Sequence, residues 1–189
     1  MKIVFIRHGK TAGNLKRQYI GKTDQPLCKA GISELNARRY PTTDIVISSP
    51  MRRCIQTAEI IYKGVALMLH DDLKECDFGT FEEKNHVQLS QNSAYKNWLN
   101  SNGEMPFPDG ESPEKFKIRC CEAFEKAVLE HCNYNSLAFV VHGGTIMAVL
   151  EKYAVPKCGF YDYQVKNACG YVTDYDIKTK EISIISELK

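Results

Sequence analysis

Six short runs of the chain are dense in Val, Ile and aromatic residues, and each is closed by a polar or turn-forming residue: 2–6, 44–48, 65–69, 137–141, 171–176 and 182–186. Runs of this length and composition predict strands. Between them, apolar residues recur at helical spacing over 30–39, 51–62, 81–100, 113–132 and 145–153, which predicts five helices. The alternation predicts an α/β fold, a three-layer sandwich around a mostly parallel six-stranded sheet. No helical pattern separates the last two strand runs, so one strand is expected to be antiparallel. Ser112 followed by Pro113 supplies a capping hydroxyl and a proline at the first helical position. The stretch 100–111, with two Pro, two Gly and the pair Asp109-Gly110, is a loop long enough to act as a lid or insertion. There are no repeats or low-complexity tracts, so 1–189 is expected to be a single domain.

Composition narrows the function classes. With 189 residues, 43% of them hydrophobic, the chain can bury a full core unaided. Lys and Arg number 25 against 23 Asp and Glu, so a formal charge of +2 leaves no basic stripe for nucleic acid, and any anion selectivity must be local. The apolar run at the N-terminus is too short for a secretory signal and no stretch reaches the length of a membrane span, so a cytoplasmic protein without a membrane partner is expected. Eight cysteines are scattered without a Cys-x-x-Cys pair, which predicts reduced thiols and no zinc site. No cofactor is indicated, and the oligomeric state is left open.

Ligands of open α/β sheets bind beyond the carboxyl ends of the strands. The first strand runs into Arg7-His8-Gly9, the fourth into His142-Gly143-Gly144. A glycine after each histidine lets backbone approach a ligand and leaves N–H groups free at a helix start, where anions are favoured. The second strand ends in Ser48-Ser49-Pro50 and opens a helix bearing Arg52 and Arg53, whose planar forks match phosphate oxygens. The third leads into Leu73-Lys74-Glu75-Cys76-Asp77, which brings carboxylates to the same edge. His70, His86 and His131 lie beside no such glycine and are read as ordinary polar residues. Asp77, Glu82 and Glu83 are read as structural or solvated, and Asp24 as shaping a turn before Pro26.

At Arg7-His8-Gly9-x-Thr11-x-x-Asn14 the sequence resembles the histidine phosphatase superfamily, which includes cofactor-dependent phosphoglycerate mutases, fructose-2,6-bisphosphatase and many small phosphatases. The resemblance continues through Gly21-x-x-Asp24-x-Pro26-Leu27, Ser48-Ser49-Pro50-Met51-x-Arg53-Cys54-x-Gln56-Thr57-Ala58-Glu59, Leu73-x-Glu75-x-x-Phe78-Gly79, Gly110-Glu111-Ser112 and His142-Gly143-Gly144. It implies a metal-independent phosphomonoesterase acting through a phosphohistidine. By the resemblance, His8 is the nucleophile, Arg7, Arg53 and His142 surround the phosphoryl group, Asn14, Gly21 and Gly143 hold phosphate oxygens, and Glu75 is the general acid. Cys28, Cys54 and the run Phe81-Glu82-Glu83 depart from the usual Thr, Ala and Trp-Glu-Gly; the first is expected to weaken the helix start that follows it. The stretch 19–27 most resembles the α-ribazole phosphatases of cobalamin assembly. The alternatives are a cofactor-dependent phosphoglycerate mutase, for which the chain is short, and a catalytically weak phosphate-binding or phosphoprotein-binding regulator. The arginines are expected to depress the Glu75 carboxyl, so that it would hold its proton chiefly in the substrate complex.

Overall fold

The computed structural model describes residues 1–189. Its centre is one seven-stranded sheet built from β1 (Lys2–Arg7), β2 (Ile45–Ser48), β3 (Leu67–Leu69), β4 (Ser136–Val141), β5 (Ala154–Val155), β6 (Gly170–Asp176) and β7 (Glu181–Leu188), in the order β3-β2-β4-β1-β6-β7-β5. β6 pairs antiparallel with both β1 and β7, and the other pairings are parallel, so one strand runs against the rest as expected. The sheet has seven strands rather than six. The extra one, β5, is two residues long and carries too little pattern to be read from sequence.

The central strands read as continuous apolar runs because both of their faces are covered. Along β1, Ile3 and Phe5 enter one buried cluster while Val4 and Ile6 enter another, and β4 splits Leu137, Phe139 and Val141 from Ala138 and Val140 in the same way. The first face is covered by α6 (Pro113–Glu130), through Phe124, Ala127 and Val128, and by α7 (Gly143–Tyr153), through Ile146, Val149 and Leu150. The second is covered by α3 (Arg52–Ile61), through Cys54 and Ala58. Beside it lies α2 (Lys29–Asn36), which buries Leu35.

The region expected to be one helix over 81–100 is instead a turn and two short helices, α4 (His86–Leu89) and α5 (Ser93–Asn100). The break has local causes. Glu83 adopts a left-handed φ of 60°, which ends a helix, and Asn85 and Asn92 each accept backbone N–H groups as caps of new ones. A four-residue helix, α1 (Ala12–Leu15), was likewise not expected; Thr11 and Asn14 cap it reciprocally. Ser112 caps α6 through the Lys115 N–H with Pro113 in the first turn, as its sequence indicates. Cys28 sits at the cap of α2 and makes no side-chain bond, so that helix begins without the contact a Thr would supply. No helix is long and apolar enough to cross a membrane.

Candidate active site

Neighbouring parallel strands in register place their ends side by side. β1 and β4 pair so that Arg7 lies opposite Val141, and the His8 N–H donates to the Val141 carbonyl at 3.0 Å. The residues that follow, His8 and His142, therefore emerge together, their rings 5.2 Å apart between centroids and tilted by 67°.

His8 is held in one tautomer. Its Nδ1 lies 2.7 Å from the Gly9 carbonyl oxygen, which can only accept, so Nδ1 carries the proton and Nε2 the lone pair. Burial, reinforced by the nearby Arg53 and Arg7, holds its pKa well below the ordinary imidazole value. The imidazole is thus neutral with its free nitrogen unprotonated. Asn167, which the sequence analysis missed, donates to the His8 carbonyl at 3.0 Å and to Asn14 Oδ1 at 3.3 Å. Thr57 accepts the Gly9 N–H at 2.9 Å and gives its own proton to the Arg53 carbonyl, tying the turn that follows His8 to α3.

Arg53 is fully buried, whereas Arg52 beside it is exposed. Residues one apart on a helix point about 100° apart, so only one of the two can face the sheet edge. The Arg53 guanidinium donates to the carbonyls of Thr23 and Gly21 at 2.9 and 2.8 Å and from Nε to His142 Nδ1 at 3.3 Å. That last bond leaves the His142 proton on Nε2, which lies 2.8 Å from Ser49 Oγ. Burial also keeps His142 well below the ordinary imidazole value, with Arg53 and His8 adding to the effect. Arg7 donates to the Val165 carbonyl at 2.7 Å, while its Nε is buried without a partner. Neither guanidinium has a carboxylate within ion-pair distance. Two arginines at one sheet edge with no carboxylate paired to either leave charge to be met by a ligand.

Glu75 lies across from this pair. Its carboxylate accepts the N–H groups of Cys76 and Gly144 at 3.1 and 3.2 Å, and the approach is possible because Gly144 has no Cβ, which would stand 2.4 Å from Glu75 Oε1. Contrary to the sequence expectation, its pKa is raised. Burial is the largest influence and outweighs the two backbone bonds and the pull of Arg7 and Arg53. Gly143, at the first position of α7, packs on Arg7. Asn14 accepts on Oδ1 from Thr11 and Asn167, which leaves its NH2 free to face the cavity that it lines.

Gly21 is placed differently from the sequence reading. Its N–H is taken by the Glu82 carboxylate at 3.0 Å and its carbonyl by Arg53, so it supports a guanidinium and does not offer an amide to a ligand. Only glycine fits there, because a Cβ would stand 1.8 Å from the Cys76 carbonyl oxygen. Glu82 also accepts from Lys22 N, Thr23 Oγ1 and Phe78 N, and so organises the loop that presents two carbonyls to Arg53. Asp24 does more than shape a turn: its Oδ1 accepts the Arg52 N–H at 2.8 Å and caps α3, whose own cap residue, Met51, has no side-chain bond to give. Asp77 pairs with Lys22 at 3.0 Å on the surface, and His70, His86 and His131 stand outside the group.

Arg7, His8, Asn14, Glu75, Gly143 and Gly144 form the polar end of a cavity of about 250 Å³. The rest of its wall is mostly apolar, drawn from the loops at 19–20, 78 and 103–107, from Trp98 of α5, from α6 and α7, and from Phe160 and Tyr161. The stretch 100–111 contributes Gly103 and Phe107 to that wall, and it is packed down by backbone bonds from Thr80 to the Pro108 carbonyl and from Glu111 to the Asp77 carbonyl, both 2.9 Å.

Comparison with known proteins gives a consistent result. The profile of the histidine phosphatase superfamily (branch 1) matches residues 3–187. An adenosylcobalamin/alpha-ribazole phosphatase of Escherichia coli is 25% identical over 195 residues, 98% of this chain and 96% of the relative. A broad-specificity phosphatase of Saccharomyces cerevisiae is 26% identical, covering 97% of this chain and 84% of the relative. Among solved structures, the alpha-ribazole phosphatase from Shigella flexneri superposes with a TM-score of 0.87 at 23% identity, over all of this chain and 96% of the other. With its two strand-end histidines, the two arginines beside them and a family match that spans nearly its whole length, the chain belongs to the histidine phosphatase superfamily.

Proposed function

We propose that the protein hydrolyses small phosphate monoesters by transferring the phosphoryl group to Nε2 of His8 and then to water. The observation that carries this reading is the pair of guanidiniums, partly buried Arg7 and fully buried Arg53, without a carboxylate paired to either, beside an imidazole whose lone pair is free. In-line attack on phosphorus needs an unprotonated nitrogen, and the Gly9 carbonyl fixes which nitrogen that is. As the phosphorus–oxygen bond to the alcohol breaks, charge on the equatorial oxygens is met by Arg7, Arg53 and the α7 N-terminus at Gly143, all in place beforehand. Asn14 adds its free NH2. His142, neutral and accepting from Arg53 on Nδ1, helps to keep the Arg53 guanidinium in place beside the His8 ring. Burial raises the Glu75 pKa and so favours the acid form that delivers a proton to the departing alcohol; as the carboxylate it then takes a proton from the water that attacks phosphohistidine.

The names of the relatives and the residues of 19–27 make α-ribazole 5′-phosphate the first ester to test. Eight free thiols suit a reducing compartment, and we place the activity in the cytoplasm. The test is a panel of metabolite phosphates that includes this ester, assayed for phosphate release in the presence of chelator, with 3-phosphoglycerate followed for both release and transfer. Release from at least one ester, abolished in His8→Ala, is the expected outcome. Transfer between the hydroxyls of phosphoglycerate in place of release would make the protein a mutase, and binding without turnover would make it a regulator.

A further inference from the structure

The catalytic groups occupy one end of the cavity, and the walls at the other end belong to a different chemistry. Tyr19, Phe78, Trp98 and Phe107 stand on one side in edge and tilted contacts: Tyr19 to Phe78 at 5.4 Å and Tyr19 to Trp98 at 6.1 Å between centroids, Phe78 to Phe107 at 5.1 Å, and Trp98 to Phe107 at 5.2 Å. The Tyr19 hydroxyl is tied to that of Tyr95 at 2.9 Å, which fixes its ring. From another segment of the chain, the perpendicular pair Phe160 and Tyr161 lines the same space. Gly103 lets the segments close together, since a Cβ there would stand 2.4 Å from the Tyr161 hydroxyl. Of these rings only Phe107 is fully buried, and Tyr161 is 53% exposed, so aromatic surface is left uncovered inside the cavity.

The charges of the cavity are as informative. Its ionisable groups are Arg7, His8, Glu75, Cys76 and the two tyrosines, and the cationic one stands at the phosphate end. Lys117 reaches the outside of the Phe160 ring at 4.4 Å, but it is paired with Glu151 at 2.7 Å. An acidic group on the alcohol would find no cation to meet it, and would lose its water for nothing.

We propose that this aromatic enclosure is the leaving-group subsite, and that it selects phosphate esters whose alcohol carries an uncharged planar aromatic or heteroaromatic ring over those whose alcohol carries a carboxylate. The inference rests on the reading of the polar end as the phosphoryl site. A ring seated against these walls gains stacking and edge contacts that an alkyl chain of similar length does not. α-Ribazole, a benzimidazole nucleoside, is one member of the class.

Trp98 is the single tryptophan of the chain, so its fluorescence reports on the cavity wall. His8→Ala protein is titrated with 3-phenylpropyl phosphate, propyl phosphate and 3-phosphoglycerate, and wild type is assayed for turnover of the same three. The phenylpropyl ester is expected to bind at least about tenfold more tightly than either other compound and to shift the Trp98 emission. Tyr161→Ala, whose side chain is half exposed, should lower the phenylpropyl-to-propyl ratio of kcat/KM several-fold. Trp98→Phe, which keeps a ring in the wall, should lower it less. Equal affinities, tightest binding of 3-phosphoglycerate, or an unchanged ratio in Tyr161→Ala would overturn the proposal. Tight binding of the aromatic ester without turnover by wild type would leave the subsite standing and sink the phosphatase reading instead.

Discussion

The two ends of the cavity are built on opposite plans. The phosphate end is assembled from strand termini and helix starts, and its side chains are locked by the protein: His8 by the Gly9 carbonyl, Arg53 by two carbonyls and an imidazole, His142 by Ser49. The alcohol end is made of rings on loops, on α5 and on the turn at Phe160–Tyr163, held by contacts between one ring and the next and by the Tyr19–Tyr95 hydroxyl bond. The difference follows from what each must do. A transition state with fixed charge geometry is stabilised by donors that need no reorganisation, whereas a leaving group contributes surface, which many side chains can supply. Chemistry therefore resides in the rigid end and substrate choice in the other.

Substitutions at the rigid end test that division most severely. Arg53→Ala should lower turnover by about 10²-fold or more, as for loss of one transition-state donor, whereas Arg52→Ala, one residue away but exposed, should change it little. Equal losses measured in steady-state assays would mean that position on α3 does not decide the matter. Glu75→Gln sits at the junction of the two ends. It should slow release of an alkyl alcohol far more than release of p-nitrophenol, which departs without a proton. The pH profile carries the sign. The acid form of Glu75 is needed and its pKa is raised, so turnover falls as pH climbs through that raised value, above the ordinary carboxylate range. His8 must be neutral and its pKa is lowered, so the opposing limb lies below the ordinary imidazole range. In Glu75→Gln the upper limb should vanish. The smallest expected effect is that of chelator, which should leave the rate as it was, because the polar end supplies arginines and amides where a metal mechanism needs ligands.

The same contrast explains what could be read from sequence. His8, His142 and Arg53 were legible because each stands at a strand end or on the first turn of a helix, where glycine, serine or proline marks the boundary. The three-layer sheet was legible because β1, β2 and β4 are apolar on both faces. Asn167 was not, since its role depends on β6 running antiparallel to β1, which brings the residues before Gly170 to the end of β1. The direction of the Glu75 shift was misjudged for a related reason: charges can be counted along a chain, but burial cannot. Glu82 looked like one more surface acid, and only the fold shows four groups of the 21–23 and 76–80 loops converging on it. The aromatic wall was hidden because its rings come from positions 19, 78, 98, 107, 160 and 161, too far apart to form a motif.

A phosphohistidine at His8 is tested by rapid quench of wild-type protein with a ³²P-labelled ester, followed by recovery of the protein and treatment with acid and with base. Label is expected on wild type that is lost in acid and survives in base, as a phosphoramidate does, with none on His8→Ala, and a label-bearing peptide that contains residue 8. Stable label on His8→Ala, or steady phosphate release by wild type with no labelled protein at any quench time, would contradict it.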